Sequence, residues 1–260
     1  HAITYSAGLA ADGFKPVVPI YSTFMQRAYD QIFHDALLQK LPLVYCMDRA
    51  GVVGPDGPTH HGVFDIAFMC TLPGMVVTAP KDGNELRNLL ATALSSKRNF
   101  SIRYPKAFSR IFNPEGKPKL LEIGSWEILQ EGEGVAILAV GSMVGMAFDA
   151  KNKINHHLGF SPTLVNARFI KPLDSELLIE LCTSHKTLLT IEEGVLSGGF
   201  GSAVSTFLHD YNLTNELIRV GIPDNFVEHA TRKELLEDLG LTSDNIISLL
   251  KINENEKVYG

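Results

Sequence analysis

Residues 41–62 read LPLVYCMDRAGVVGPDGPTHHG. Leu41–Met47 is an apolar run of strand length with no polar alternation, the pattern of a strand buried on both faces of a parallel sheet. It is followed by Asp48-Arg49-Ala50-Gly51 and then by Gly54–Gly62, nine residues holding three glycines and two prolines. That composition predicts a shaped turn, and Asp56, His60 and His61 sit in it at the carboxyl end of the strand. Ligands of open α/β sheets bind at that end.

The same grammar extends both ways. Lys15–Thr23 (KPVVPIYST), Gly74–Ala79 and Phe100–Tyr104 read as further buried strands. Between them lie helical patterns at Ile3–Ala11, Phe24–Gln39, Val63–Met69 and Asn84–Ser95. The second half repeats it, with strands at Gly134–Val140, Pro162–Asn166, Thr187–Glu192 and Leu217–Val220. Its helices are predicted from Ser142 to His157, over Asp174–His185 and Gly201–Tyr211, and at Arg232–Leu239 and Ser243–Leu250. Ser142 and Asp174 are placed to cap their helices. The fold class is therefore α/β: two consecutive sandwich domains with mostly parallel sheets. Asn113–Pro118, rich in proline and glycine, has linker composition, which puts the domains at 1–115 and 120–260.

The chain has 260 residues, 45% of them hydrophobic and 20% charged, with mean hydropathy +0.07. This is globular composition and excludes collagen, coiled coil and disorder. No apolar run is long enough to span a membrane. The net charge of −6 argues against nucleic acid as a partner. It is unevenly shared: residues 1–115 carry 11 basic and 9 acidic side chains, residues 116–260 carry 12 and 20. The first half is thus suited to an anion, provided its basic residues stand at the sheet edge. Cys46, Cys70 and Cys182 are widely spaced, odd in number and lack CxxC, which favours a reducing cytoplasm and no structural zinc.

Candidate site residues collect at strand ends. Tyr21 and Phe24 close the first strand and Arg27 opens the next helix. Arg49 follows the second strand, poised for bidentate grip of a phosphate or carboxylate, or else paired with Asp48. Asp56 and His60 offer proton transfer near neutral pH, the alternative being an exposed histidine pair. Arg103-Tyr104-Pro105-Lys106 ends the fourth strand. Ser197–Gly201 (SGGFG) precedes a helix and is a weak candidate for cradling phosphate. No role follows for Glu192 or Glu193.

HAITYSAGLA, YSTFMQRAYDQ, DRAGVVGPDGPTHHG, RYP and GIPDNFVEHAT together resemble the C-terminal two-thirds of the 1-deoxy-D-xylulose-5-phosphate synthase family, within the transketolase superfamily. The resemblance runs from residue 1 to about residue 250. It implies a transketolase pyrimidine-binding domain followed by a transketolase C-terminal domain. It also implies a thiamine-diphosphate transferase that joins pyruvate to D-glyceraldehyde 3-phosphate with loss of CO2, supplying isoprenoid, thiamine and pyridoxol precursors. By position, Phe24 matches the aromatic residue stacked on the aminopyrimidine. Arg27, Asp56 and His60 match catalytic polar groups, while Tyr21, Arg49 and Lys106 match substrate-binding ones. Lys106 departs from an arginine in a family RYPRG pattern, keeping the charge but losing the fork.

The resemblance places a catalytic glutamate two residues before His1. It places the Mg2+ and diphosphate motif further upstream, so no metal ligand is expected here. The chain, starting at His1 in mid-pattern, is expected to be a piece of a longer enzyme, inactive alone and cytoplasmic. A homodimer is expected, with or without a separate N-terminal fragment. Two other readings remain: a 2-oxo acid dehydrogenase E1 β subunit, and a non-catalytic dimerising or binding module.

Overall fold

The computed structural model describes residues 1–109, 112–113 and 115–258, with side chains to residue 251. Pro114 of the expected linker lies outside the described residues. The first half runs α1 (Ala2–Ala11), β1 (Val17–Pro19), α2 (Ser22–Met25), a 3₁₀ turn Gln26–Ala28, α3 (Tyr29–Gln31) and a π-helical turn Ile32–Leu37. It continues β2 (Val44–Met47), α4 (Asp65–Cys70), β3 (Val76–Thr78), α5 (Gly83–Ser96) and β4 (Phe100–Arg103). The second half holds β5 (Glu127–Gln130), β6 (Val135–Ala139), α6 (Met143–Leu158), β7 (Thr163–Asn166), β8 (Phe169–Lys171) and α7 (Ser175–Ser184). It closes with β9 (Thr187–Val195), α8 (Phe200–Asp210), β10 (Glu216–Ile222), α9 (Arg232–Asp238) and α10 (Ser243–Val258).

Each sheet has four parallel strands and one antiparallel edge strand, in the orders β1-β2-β4-β3-β8 and β10-β9-β6-β7-β5. All four residues of β2 and of β4 are buried, and so are all nine of β9. Apolar runs without alternation are therefore central strands covered on both faces.

The two sheets are not independent. Strand β8 leaves the second sheet after β7 and pairs with β3 of the first, Val77 opposite Lys171 and Thr78 opposite Phe169. One hydrophobic core consequently contains Tyr45, Met47, Phe100 and Ile102 from the first sheet with Leu138, Val165 and Leu188 from the second and Phe200 from α8. The Trp126 indole donates to the Phe169 carbonyl at 2.7 Å and meets the Phe200 ring edge-on at 5.8 Å. A second core, on the far face of the second sheet, takes in Val52 and Val63 from the first half.

Two local expectations change. The single helix expected over Phe24–Gln39 is broken into α2, a 3₁₀ turn, α3 and a π turn. Ser22 and Thr23 at its start bond to Asp65 and to the Thr59 carbonyl, and such tertiary bonds override helical propensity. Asp174 does cap α7, accepting from Leu177 N at 3.0 Å. Ser142, by contrast, makes no side-chain cap on α6, because its hydroxyl donates to Glu193 at 2.7 Å instead.

Candidate active site

The carboxyl ends of β1, β2 and β4 meet in one place. The Ser22 amide donates to the Asp48 carbonyl at 2.8 Å and the Ala50 amide to the Tyr104 carbonyl at 3.0 Å, which ties the three exits together. Ser22 and Thr23 are buried, and their hydroxyls bind inward. That leaves Tyr21 and Phe24 half-buried and Arg27 exposed on the outer side. Tyr21 and Phe24 stack, with centroids 5.3 Å apart and planes inclined by 11°. The Arg27 guanidinium carbon lies 5.4 Å from the Phe24 centroid.

Arg49 adopts a left-handed backbone, φ +54°. A non-glycine residue held there costs of order 1 kcal/mol or more, and such strain persists only where the surroundings over-determine it. The side chain arches over Tyr21, 4.1 Å from the ring centroid, and Nη2 donates to the phenol oxygen at 2.6 Å. No ion pair to Asp48 forms within bonding distance, so the Asp48–Arg49 alternative is replaced by a Tyr21–Arg49 pairing. Arg49 Nε is buried without a hydrogen-bond partner.

The loop after Arg49 is closed at its neck. Gly51 and Gly62 exchange amide–carbonyl bonds, both 2.8 Å. A Cβ on Gly62 would stand 2.5 Å from the Arg49 carbonyl and from the Ser22 hydroxyl, so only glycine fits. The two histidines then divide. His61 is buried: its Nδ1 accepts from Val53 N at 3.1 Å, which leaves the proton on Nε2 to donate to the Glu228 carbonyl at 3.0 Å. His60 turns outward, edge-on to Phe24 at 5.4 Å, with Nδ1 2.9 Å from the Thr59 hydroxyl. Exposed Asp56 and Lys106 face each other at 3.8 Å across the mouth.

Five of the seven sequence-expected residues (Tyr21, Phe24, Arg27, Arg49 and His60) thus form one contact cluster, while Asp56 and Lys106 pair with each other, Asp56 near enough for its charge to act on Arg49. Contacts run from Arg27 through Phe24 to Tyr21 and Arg49, and from Phe24 to His60.

The chain matches the family described as the transketolase pyrimidine binding domain over residues 1–110 and the transketolase C-terminal domain over residues 124–246. The chain belongs to the transketolase family. It is 48% identical over 248 residues to the 1-deoxy-D-xylulose-5-phosphate synthase of Dehalococcoides mccartyi strain CBDB1, which covers 95% of this chain and 38% of the relative. Against 1-deoxy-D-xylulose-5-phosphate synthase 1 of Geobacter sulfurreducens it is 48% identical over 247 residues, covering 95% of this chain and 39% of that one. The chain therefore spans about two-fifths of these relatives, not two-thirds. Among solved structures, the inactive β4 tetramer of a split-gene transketolase superposes with TM-score 0.87 at 28% identity, covering 96% of this chain and 80% of that one.

In the pyrimidine-binding domain, Phe24 is a half-exposed ring backed by Tyr21 and buried neighbours, which fits stacking on a cofactor's heterocycle. Among the described residues no three His, Cys, Asp or Glu side chains converge in a way that could hold a metal ion. The sequence reading missed how Arg103 is used. This buried guanidinium bonds both Asp65 oxygens from Nε at 2.9 Å and the Glu193 carbonyl from Nη2 at 2.9 Å. It locks Ser22 through Asp65 and is not available to substrate.

In the transketolase C-terminal domain, the SGGFG turn does not cradle phosphate. The amides of Phe200 and Gly201 donate to the two Glu192 oxygens, both at 2.8 Å, so an internal carboxylate already fills that position. Glu192 is fully buried, and burial raises its carboxyl to about 7.

Proposed function

We propose that this chain carries the substrate-facing half of a thiamine-diphosphate transferase. The enzyme joins pyruvate to D-glyceraldehyde 3-phosphate, releasing CO2 and forming 1-deoxy-D-xylulose 5-phosphate. The observation that carries this reading is the contact cluster of Tyr21, Phe24, Arg27, Arg49 and His60, with the Asp56–Lys106 pair, beyond the carboxyl ends of β1, β2 and β4, in a chain whose relatives are that synthase.

Thiamine diphosphate, when bound, supplies the carbanion chemistry that removes CO2 from a 2-oxo acid and delivers its two-carbon remainder to an aldehyde. Phe24 would hold its pyrimidine ring. Arg49 and Lys106 grip the phosphate of the acceptor, whose binding energy then orients the distant aldehyde carbon. Asp56 and His60 hold the aldehyde, and His60 gives the proton that its oxygen needs as the new carbon–carbon bond forms. Arg27 stabilises negative charge developing beside Phe24. Tyr21 holds Arg49 in place.

Mg2+ and the diphosphate are held by a part of the enzyme supplied with this chain. Two observations support this: the chain spans about two-fifths of its relatives, and the similar solved structure is the inactive β4 tetramer of a transketolase whose gene is split. The assembly expected is a homodimer. The three free cysteines support a reducing cytoplasm.

The test is CO2 release from pyruvate, with and without glyceraldehyde 3-phosphate. It is run with the chain alone and with the chain joined to the upstream part of the Dehalococcoides mccartyi synthase. Acceptor-dependent release only in the joined protein is the expected result. Release that depends on a lipoyl acceptor instead would identify a 2-oxo acid dehydrogenase subunit.

A further inference from the structure

Glu193 lies on β9 in the C-terminal domain, 1% exposed. A buried carboxylate must be paired or fully hydrogen-bonded, and its partners here come from three separate segments. Oε1 accepts from Val52 N at 2.9 Å, within the Arg49–Gly62 loop of the other domain. Oε2 accepts from the Ser142 hydroxyl at 2.7 Å and from Arg232 Nη2 at 2.5 Å. The Glu193 carbonyl in turn accepts from Arg103. The loop rests directly on this carboxylate: a Cβ at Gly51, φ +78°, would fall 2.3 Å from Oε1.

The contact is two and three residues beyond Arg49, whose left-handed backbone needs support on both sides. On its amino side the Asp48 carbonyl is held by the Ser22 amide. On its carboxyl side the neck of the loop is held by Glu193. Arg232 and Ser142 fix the carboxylate against rotation, so the C-terminal domain supplies a rigid post for a loop of the pyrimidine-binding domain.

We propose that Glu193 is a positioning residue: from the C-terminal domain it sets the backbone of the Arg49–Gly62 loop and thereby aims Arg49 at the acceptor's phosphate. The second half of this statement rests on the reading of Arg49 given above; the first half does not. Glu193 touches neither substrate nor cofactor, and acts through Val52 and Gly51.

The test uses the complete, cofactor-loaded enzyme with Glu193→Ala, Glu193→Gln and, as reference, Arg49→Ala. Amide hydrogen exchange over residues 50–53 is followed together with KM for glyceraldehyde 3-phosphate, for unphosphorylated D-glyceraldehyde and for pyruvate. Glu193→Ala is expected to speed exchange at Val52 and to raise KM for the phosphorylated acceptor about tenfold or more, the loss of a charge-assisted bond, with the other two KM values within about twofold. Glu193→Gln keeps an acceptor for Val52 and is expected to recover most of that loss. Unchanged exchange at Val52 in Glu193→Ala overturns the proposal, as does an equal rise of all three KM values. Should Arg49→Ala itself fail to separate the two acceptors while Glu193→Ala still speeds exchange, the post stands and the phosphate role of Arg49 falls.

Discussion

Arg49 and Tyr21 form a unit: the guanidinium covers the phenol ring at 4.1 Å and donates to its oxygen at 2.6 Å. The two residues leave the ends of adjacent parallel strands, β2 and β1, so the pairing also bridges the sheet edge. Removing the guanidinium by Arg49→Ala is expected to raise KM for glyceraldehyde 3-phosphate roughly 30- to 100-fold, the value of a charge-assisted bidentate contact, with KM for pyruvate within about threefold. Tyr21→Phe keeps the ring and loses the acceptor, and should raise the same constant by roughly 3- to 10-fold. Steady-state kinetics with each substrate varied in turn decides it; equal effects on both substrates would sink the phosphate assignment.

The adjacent histidines should separate stability from chemistry. His61→Ala strands the Val53 amide and the Glu228 carbonyl, both in buried or part-buried surroundings. The expected cost is about 2–3 kcal/mol, or roughly 5–10 °C in Tm. His60→Ala removes a group bonded only to the neighbouring Thr59 hydroxyl and touching Phe24, so Tm should stay within about 2 °C while kcat falls roughly 100-fold or more. Thermal melts and turnover measured on both variants check the pair. A stable, inactive His61→Ala would reverse the assignment.

Lys106 offers a gain rather than a loss. It stands 3.8 Å from Asp56 with more than half of its side chain exposed, at a position where the resemblance implies arginine. A single ammonium grips a phosphate as a point charge, whereas a guanidinium adds a second parallel bond. Lys106→Arg is therefore expected to lower KM for glyceraldehyde 3-phosphate by about 3- to 10-fold and to leave pyruvate unaffected. An unchanged KM would show that residue 106 lies outside the phosphate's reach.

These residues were legible because each carries local signals: a polar or aromatic side chain directly after an apolar run, or a histidine in a glycine- and proline-shaped turn. What joins the domains was not. Strand β8 has three residues, FIK, too short for any periodicity, and it exists because β3 offers an edge some ninety residues earlier in the chain. Arg103 ends β4, where candidate site residues collect, and nothing local tells it from Lys106; burial against Asp65 makes it a clamp. Glu192 and Glu193 did leave a trace, two consecutive carboxylates inside an otherwise apolar strand. Their meaning depends on partners at Val52, Ser142, Phe200, Gly201 and Arg232, which only the folded chain brings together.

Glu192 gives the pH dependence a definite sign. Burial lifts its carboxyl from the ordinary 4.5 to about 7, against the pull of two α8 amides and of Arg103 and Arg219. Between those values the folded chain keeps a proton that the unfolded chain has released. Stability contributed by this group is therefore fully present below about pH 4.5, falls as pH rises, and is lost above about 7. Glu192→Gln replaces the titrating acid with a neutral group of the same shape. The native chain should lose Tm steadily from pH 5 to 7.5 relative to this variant, and the two curves should run parallel above pH 8. Curves already parallel from pH 5 upward would show that the α8 amides offset burial and hold Glu192 as an ordinary carboxylate.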